Sequence, residues 1–277
     1  MTKERLDILL VQRELAETRE KAKRLIMAGV VFSGPERLDK PGVKIDSSIP
    51  LHVKGKLPYV SRGGYKLEKA LQVFNFHVKN KTVLDIGAST GGFTDCALQY
   101  GAEYVYAIDV GHNQLVWKLR NDPQVEVHER TNFRYVTPDL FASGTPNVSV
   151  TDVSFISLRL IFPVLKTLLQ PESDIIVLVK PQFEAEKNQV GKKGVVKDSS
   201  VHISVLREII SFAIDEGFTF LGLDYSPITG GEGNIEFIGH FGWEKQQEDE
   251  RSLEVITEVV ESAHHHFQAK RRGGKNE

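Results

Sequence analysis

The sequence predicts an α/β protein in which a small α+β unit precedes a doubly wound, mostly parallel sheet. Three observations carry that expectation. From about residue 61 onward, apolar β-branched runs alternate with stretches of helical periodicity, the pattern of a βαβ sheet. The first of those runs opens into a glycine-rich turn, "VLDIGASTGGF", that leads into a helix. The front of the chain also differs in charge: residues 1–56 hold 12 Lys/Arg against 8 Asp/Glu, and the remainder holds 23 against 29. A basic head on an acidic body hints at nucleic acid at the front end.

Taken in order, residues 3–15 read as a short helix with Leu6, Leu9 and Leu10 on one side. Thr18 reads as the N-cap of a second helix, "REKAKRLIMA", which Gly29 stops. Two short strands, "VVFSG" and "SSIPLHV", flank the loop "PERLDKPGVKID". These segments make a head of residues 1–54, joined through a linker at 55–60 to a body of 61–245. The body begins with the helix "GGYKLEKALQVF". Seven strands follow, at 82–86, 104–109, 125–129, 148–152, 175–180, 218–226 and 235–241. The last two have only a short glycine-rich connection and are expected to pair antiparallel. Residues 246–277 read as an amphipathic helix and a basic tail.

Composition narrows the function classes. A chain of 277 residues with 40% hydrophobic residues can hold one large or two modest domains. Its one cysteine, Cys96, excludes an internal disulfide framework, suits a reducing compartment and reads as a small core residue. No run approaches the roughly 18 apolar residues of a membrane span. The charges inside "MTKERLDILLVQREL" argue against a leader peptide. The expectation is a cytoplasmic protein with no membrane and no stable protein partner. "HHH" at 264–266 invites a metal, but consecutive helical residues diverge by about 100° and cannot chelate one ion together. A solvated helix end is expected there.

The glycine turn has the spacing G-x-x-x-G-G, which is neither the dinucleotide fingerprint nor the P-loop. Gly87, Gly91 and Gly92 would let backbone approach a ligand closely. Asp109 ends the next strand about 20 residues on, placed to accept hydrogen bonds from ribose hydroxyls. A plain βα turn and a solvated carboxylate are the alternatives. Together the features resemble the S-adenosylmethionine-dependent methyltransferases. The resemblance implies that Asp85, Gly87, Ala88, Ser89, Gly91, Gly92 and Phe93 surround the methionine part of the cofactor. It likewise gives Asp109 to the ribose and Asn132 to the adenine end.

Ligands of doubly wound folds bind beyond the carboxyl ends of the strands. Asp152 and Lys180 end two strands there, Glu236 opens the antiparallel strand on the same rim, and Lys66 lies on the helix before the first strand. Singly, these could be a helix cap, a strand-edge carboxylate and a solvated lysine. Jointly they suit methyl transfer to a ribose 2′-hydroxyl. One lysine, its pKa lowered by burial and a second ammonium, removes the proton, and the other stabilises the alkoxide. No metal is required. The fourth strand leads into "DVSF" rather than the [D/N]-P-P-[Y/F] of amino-group methyltransferases, which favours oxygen as acceptor.

The order Lys-Asp-Lys-Glu resembles the FtsJ-type ribose 2′-O-methyltransferases. With "VSRGGYKLEKAL", "TDVSFISL", "LVKPQFE" and "GGEGNIEF", the chain resembles the TlyA family over about residues 3–243. That family joins an S-four-type RNA-binding domain to a Rossmann-like class I methyltransferase, and some members carry haemolysin names. It implies S-adenosylmethionine as cofactor and cytidine in 16S or 23S ribosomal RNA, free or in ribosomal subunits, as acceptor. Arg5, Arg13, Arg19, Lys21, Lys23, Arg24 and Arg62 would contact RNA, with Lys56 continuing the path; ordinary solvated helix faces are the alternative. One departure is Tyr59 in "LPYV", where the family has tryptophan. A non-catalytic RNA-binding protein and a membrane-lytic haemolysin are the competing functions.

Overall fold

A computed structural model describes residues 3–27, 29–38, 40–55, 58–74, 76–245 and 254–273 of the chain. They form two compact units, Met1–Arg62 and Gly63–Glu277. Lys56, and the side chains of the basic tail from Lys270 onward, lie outside the described residues.

The first unit departs from the sequence expectation at its start. Residues Lys3–Arg5 are a strand, β1, and the helix α1 spans only Leu6–Gln12. Glu14, at φ 57°, lies beyond its end. Helix α2 (Arg19–Met27) begins where Thr18 Oγ1 accepts the Lys21 N–H at 3.1 Å. Strand β2 is Val31–Ser33. The segment expected to be a plain loop holds two more strands, β3 (Glu36–Arg37) and β4 (Lys44–Asp46), before β5 (His52–Val53). β4 pairs antiparallel with β1, and β3-β2-β5 form a second small sheet. Long-range pairing thus overrides the helical pattern at Lys3–Arg5, a common outcome for short charged segments. Leu6, Leu10, Ala22, Ile26 and Val31 close the core.

The second unit runs α3 (Gly63–Val73), β6 (Thr82–Ile86), α4 (Gly92–Gln99), β7 (Tyr104–Ile108), α5 (Trp117–Arg120) and β8 (Val125–His128). It continues through β9 (Val148–Thr151), α6 (Phe162–Leu165), β10 (Ser173–Val179), α7 (Pro181–Glu184) and α8 (Ser199–Asp215). It ends with β11 (Phe218–Tyr225), β12 (Phe237–Trp243) and α9 (Val255–Gly273). The seven strands form one sheet in the order β11-β12-β10-β9-β6-β7-β8, and β12 is antiparallel to both neighbours. This is the seven-stranded, mostly parallel sheet that the alternation predicts.

The most apolar run, Ile175 to Val179, lies in β10 between β9 and β12, with every residue buried. A strand covered on both faces reads as a continuous apolar run, not an alternating one. The sheet is oriented so that β6, β7, β8, β9 and β10 end on one rim and β12 begins there. The candidate site lies on that rim.

Candidate active site

Four charged side chains meet beyond the sheet. Lys180 directly follows β10 and is 7% exposed; Pro181 behind it opens α7 at a position where its missing N–H costs nothing. Asp152 directly follows β9, and its N–H donates to the Ile86 carbonyl at 3.0 Å. Glu236, 3% exposed, directly precedes β12, and Lys66, 8% exposed, lies in the first turn of α3. Lys66 Nζ donates to Asp152 Oδ2 at 2.9 Å and to Glu236 Oε2 at 2.8 Å. Lys180 Nζ stands 2.6 Å from Asp152 Oδ1 and donates to Ser154 Oγ at 3.1 Å. The four residues therefore form one chain of contacts, Glu236–Lys66–Asp152–Lys180.

The electrostatics set the charge states of Lys66 and Asp152. Burial alone would lower the Lys66 pKa, but the carboxylates of Asp152 and Glu236 outweigh it and the net shift is upward. The lowered lysine expected at this site is therefore not Lys66. Burial would raise Asp152, yet the ammonium groups of Lys66 and Lys180 hold its carboxyl at about 2. Asp152 is anionic throughout the physiological range, and Lys66 is cationic.

Two glycines are set by this cluster. Gly87 has φ +82°, and a Cβ there would stand 2.7 Å from the Asp152 carbonyl oxygen. At Gly230 a Cβ would stand 2.0 Å from Glu236 Oε1. The turn glycines were expected to admit a ligand. Gly87, which stands in the cleft wall, also admits the backbone of a site residue, and Gly91 faces the side chains of Leu115 and Leu119.

Beside the four charges lies a cleft of about 770 Å³, walled by the loops that follow β6, β7, β8 and β9. Of the predicted cofactor residues, Gly87, Ser89, Asp109 and Asn132 stand in its wall. Asp85, Ala88, Gly91, Gly92 and Phe93 are not part of that wall and are buried or half-buried. Asp109 joins two loops, accepting the Ser89 N–H through Oδ2 and the Gly111 N–H through Oδ1, both at 2.7 Å. Each oxygen keeps a second lone pair. Asn132 Oδ1 accepts the Arg134 N–H at 3.2 Å.

Asp85 is buried. Its Oδ2 accepts the Thr94 N–H at 3.0 Å and the Thr94 hydroxyl at 2.6 Å, while Oδ1 has no partner among the described residues. Burial pushes this carboxyl up to about 7. An orphaned carboxylate oxygen fits the ammonium of a methionine moiety, and the free lone pairs of Asp109 fit ribose hydroxyls. The residues present suit S-adenosylmethionine.

Sequence reasoning missed three parts of the site. Glu129 accepts the N–H groups of Asn113, Gln114 and Leu115 at 2.6, 2.8 and 3.2 Å, and Arg120 at 2.5 Å. Burial opposes ionisation there, but these donors hold its carboxyl at about 2 and fix the loop after β7. Glu184 accepts the Ser157 hydroxyl at 2.6 Å and the Leu158 N–H at 2.8 Å, fixing the loop after β9. That loop carries Phe155, 89% exposed at φ 62°, with its ring 4.8 Å from that of Phe183. A bulky residue at positive φ is a genuine outlier. Only the strand-end position of "VHE" and "VTD" could have signalled any of them. No helix begins near Ser154; the chain stays irregular until Ser157 caps the short turn Leu158–Leu160.

In the first unit, Arg5 and Arg19 both bind the carboxylate of Asp7. Arg13 donates to the carbonyls of Ser47 and Ile49, so its guanidinium holds a loop. Lys21 and Lys23 pair with Glu17 and Glu20. Arg24 and Arg62 are half-buried, and Tyr59 is buried. The expected solvated histidines are a correction. His264 Nε2 lies 2.9 Å from Nδ1 of buried His202, and the His266 ring lies tilted against Tyr225 with centroids 5.5 Å apart, because α9 packs on α8 and β11. Only His265 is exposed. Cys96 is buried, as expected.

Comparison with known proteins identifies the family of each unit. Residues 59–243 match the model of the FtsJ-like methyltransferases, and residues 4–48 match the S4 domain. YqxC of Bacillus subtilis (strain 168), provisionally named an rRNA methyltransferase, is 63% identical over 95% of this chain and 94% of its own. The 16S/23S rRNA (cytidine-2′-O)-methyltransferase TlyA of Mycobacterium tuberculosis (strain H37Rv) is 42% identical over 88% of this chain and 91% of its own. A solved Streptococcus thermophilus structure, provisionally named a hemolysin, is 52% identical with a TM-score of 0.79, covering 98% of this chain and 99% of that one.

Proposed function

The chain belongs to the family of FtsJ-like methyltransferases with an S4 domain, and from that premise we propose that it methylates the ribose 2′-hydroxyl of a cytidine in 16S or 23S ribosomal RNA. The observation that carries this reading is the contact chain Glu236–Lys66–Asp152–Lys180 at the edge of the cleft. A hydroxyl needs its proton removed before it attacks, and the cluster offers a base and a fixed cation side by side.

Asp85, Gly87, Ser89, Asp109 and Asn132 would hold S-adenosylmethionine. When bound, it supplies a methyl group made electrophilic by a sulfonium. Lys180 is the general base. It shares one carboxylate and donates to the hydroxyl of Ser154, which lines the cleft. Lys66 lies between two carboxylates and stays an ammonium; two of its three donors are engaged, and the third is left for the developing alkoxide. Asp152 orients both lysines, and Glu236 holds Lys66, itself touched by Gln182 at 3.4 Å. Phe155 offers an open aromatic face to a base beside the transfer site.

Among the described residues no helix is long and apolar enough to cross a membrane. The test is mass spectrometry of 16S and 23S rRNA incubated with the protein and S-adenosylmethionine. Ribose methylation of a cytidine that Lys180→Ala abolishes, with cofactor binding retained by calorimetry, is expected. Methylation of a base nitrogen, or none of either rRNA, would overturn the reading.

A further inference from the structure

The two lysines of the site differ in what holds them. Lys66 Nζ donates to two carboxylates, Asp152 Oδ2 at 2.9 Å and Glu236 Oε2 at 2.8 Å. Lys180 Nζ faces one, Asp152 Oδ1 at 2.6 Å, and its other polar contact is a neutral hydroxyl, Ser154 Oγ at 3.1 Å. Lys66 lies across the shared carboxylate, and the Phe183 ring stands 6.0 Å from Lys180 Nζ. Ser154 is thus to Lys180 what Glu236 is to Lys66, without the charge.

The position of Ser154 is set from outside the four charges. The loop after β9 is joined to Lys180 and α7 in the same order along both segments. Lys180 meets Ser154, the Phe183 ring lies 4.8 Å from that of Phe155, and Glu184 accepts the Ser157 hydroxyl at 2.6 Å and the Leu158 N–H at 2.8 Å. Phe155, next to Ser154, is held at φ 62°, which a bulky residue rarely adopts. These contacts, not local preference, therefore fix the path of the loop at Ser154. Ser154 is exposed and lines the cleft, while Lys180 behind it is buried.

We infer that Ser154 is a positioning residue that assigns the role of base to Lys180, because it gives that nitrogen an uncharged partner where Lys66 has a second carboxylate. The inference rests on the 2′-O-methylation reading above and adds to it a residue outside the Lys-Asp-Lys-Glu set. A base passes through two states in each turnover. The amine takes the 2′-hydroxyl proton, so an O–H bond breaks and an N–H bond forms. The freed oxygen pair bonds the methyl carbon as the methyl–sulfur pair returns to sulfur, and the ammonium then gives its proton to water. An ionised carboxylate only accepts, so it favours the ammonium and opposes its deprotonation. A hydroxyl both accepts and donates, so it remains a partner to ammonium and amine alike. When the amine turns its two N–H groups to Asp152 and Ser154, its lone pair takes the one tetrahedral direction left.

The experiment measures kcat and KM for rRNA in the full-length parent, Ser154→Ala, Ser154→Thr and Ser154→Asp from about pH 6 to about pH 10. Cofactor affinity by calorimetry and the melting temperature are followed in parallel. Ser154→Ala is expected to lower kcat about a hundredfold, the cost of a misplaced reacting group, and to leave KM for rRNA within about twofold. Ser154→Thr keeps the hydroxyl and should recover most of that loss. Ser154→Asp gives Lys180 the two carboxylates that Lys66 has, and should move the rise of kcat with pH upward by about one unit or more. A merely structural role would lower the melting temperature and leave the profile in place. Parental kcat in Ser154→Ala, a fall in its rate that lost cofactor affinity accounts for, or an unshifted profile in Ser154→Asp overturns the role of Ser154 alone. Absence of rRNA methylation by the parent, or undiminished methylation by Lys180→Ala, overturns the base assignment and this inference together.

Discussion

Lys66 Nζ lies 2.8 Å from Glu236 Oε2, a contact that spans 170 residues of chain. It ties the helix before the first strand to the start of the last one. With Asp152 on its other side, Lys66 is fixed as an ammonium, and the roles proposed for the two lysines differ. Arginine substitutions separate those roles, because a guanidinium keeps the charge and cannot be deprotonated. Lys180→Arg is expected to abolish methyl transfer. Lys66→Arg should keep a measurable fraction of it. Single-turnover assays with rRNA check this, and an active Lys180→Arg enzyme would reassign the base.

Glu236→Gln leaves Lys66 with one carboxylate in place of two. Removing one partner of a buried ion pair typically costs about 3–5 kcal/mol, and the remaining contact with Asp152 should keep the loss toward the lower end. The expected outcome is a lower midpoint in urea unfolding and a fall in kcat of at least tenfold, about 1.4 kcal/mol in the barrier. Cofactor affinity by calorimetry should change little, since the Glu236 side chain bonds Lys66 and Gln182 rather than the residues proposed to hold the cofactor.

Gly87→Ala tests the approach of the first turn to Asp152. The new Cβ would stand 2.7 Å from the Asp152 carbonyl oxygen, at a φ of +82° that alanine disfavours. Destabilisation of about 1–3 kcal/mol is expected from strain of this kind. Activity should fall further than stability does, because the carbonyl that must move belongs to a site residue. A calorimetric scan and a methylation assay on the same preparation give the comparison.

Phe155→Ala should raise the KM for RNA on the order of tenfold, the range for loss of one base–aromatic stack, and leave cofactor affinity within a factor of about two. Because Phe155 sits at positive φ, Phe155→Gly relieves the backbone as it removes the ring. Glycine should therefore raise the melting temperature relative to alanine while matching its KM. Equal KM values for all three proteins would remove the ring from substrate binding.

How much of this was legible depended on where each signal was stored. Ile175 to Val179 announced a buried strand because a strand covered on both faces must be apolar throughout, and Lys180 stood out at its end. Asp152 and Glu236 followed from the rule that ligands bind at the carboxyl rim, and Asp109 from its spacing of about 20 residues after the glycine turn. Lys3–Arg5 and Lys44–Asp46 could not be seen, since "KER" and "KID" carry no strand pattern and pair only with each other across the fold. His202 and His264 lie 62 residues apart, and nothing local marks their contact. The raised pKa of Lys66 was hidden for the same reason: the sequence showed a lysine near carboxylates but not that two of them touch it.

Asp85 makes the cofactor site sensitive to pH. Its carboxyl moves from an ordinary 3.8 to about 7 in the folded protein, chiefly through burial. A raised carboxyl contributes stability that is present below the unfolded value and is lost as pH rises through the folded one. The stability of the parent relative to Asp85→Asn should therefore fall between about pH 4 and pH 7, while buried His202, its imidazole held down at about 4, gives both proteins the opposite trend over that range. The ligand's ammonium prefers the ionised carboxylate, so S-adenosylmethionine should bind more tightly as pH rises toward 7 and then level off. Calorimetry of parent and Asp85→Asn between about pH 4 and pH 8 reads both effects. Binding of the parent that does not change with pH, or an unchanged slope in Asp85→Asn, would show that Oδ1 does not receive the cofactor.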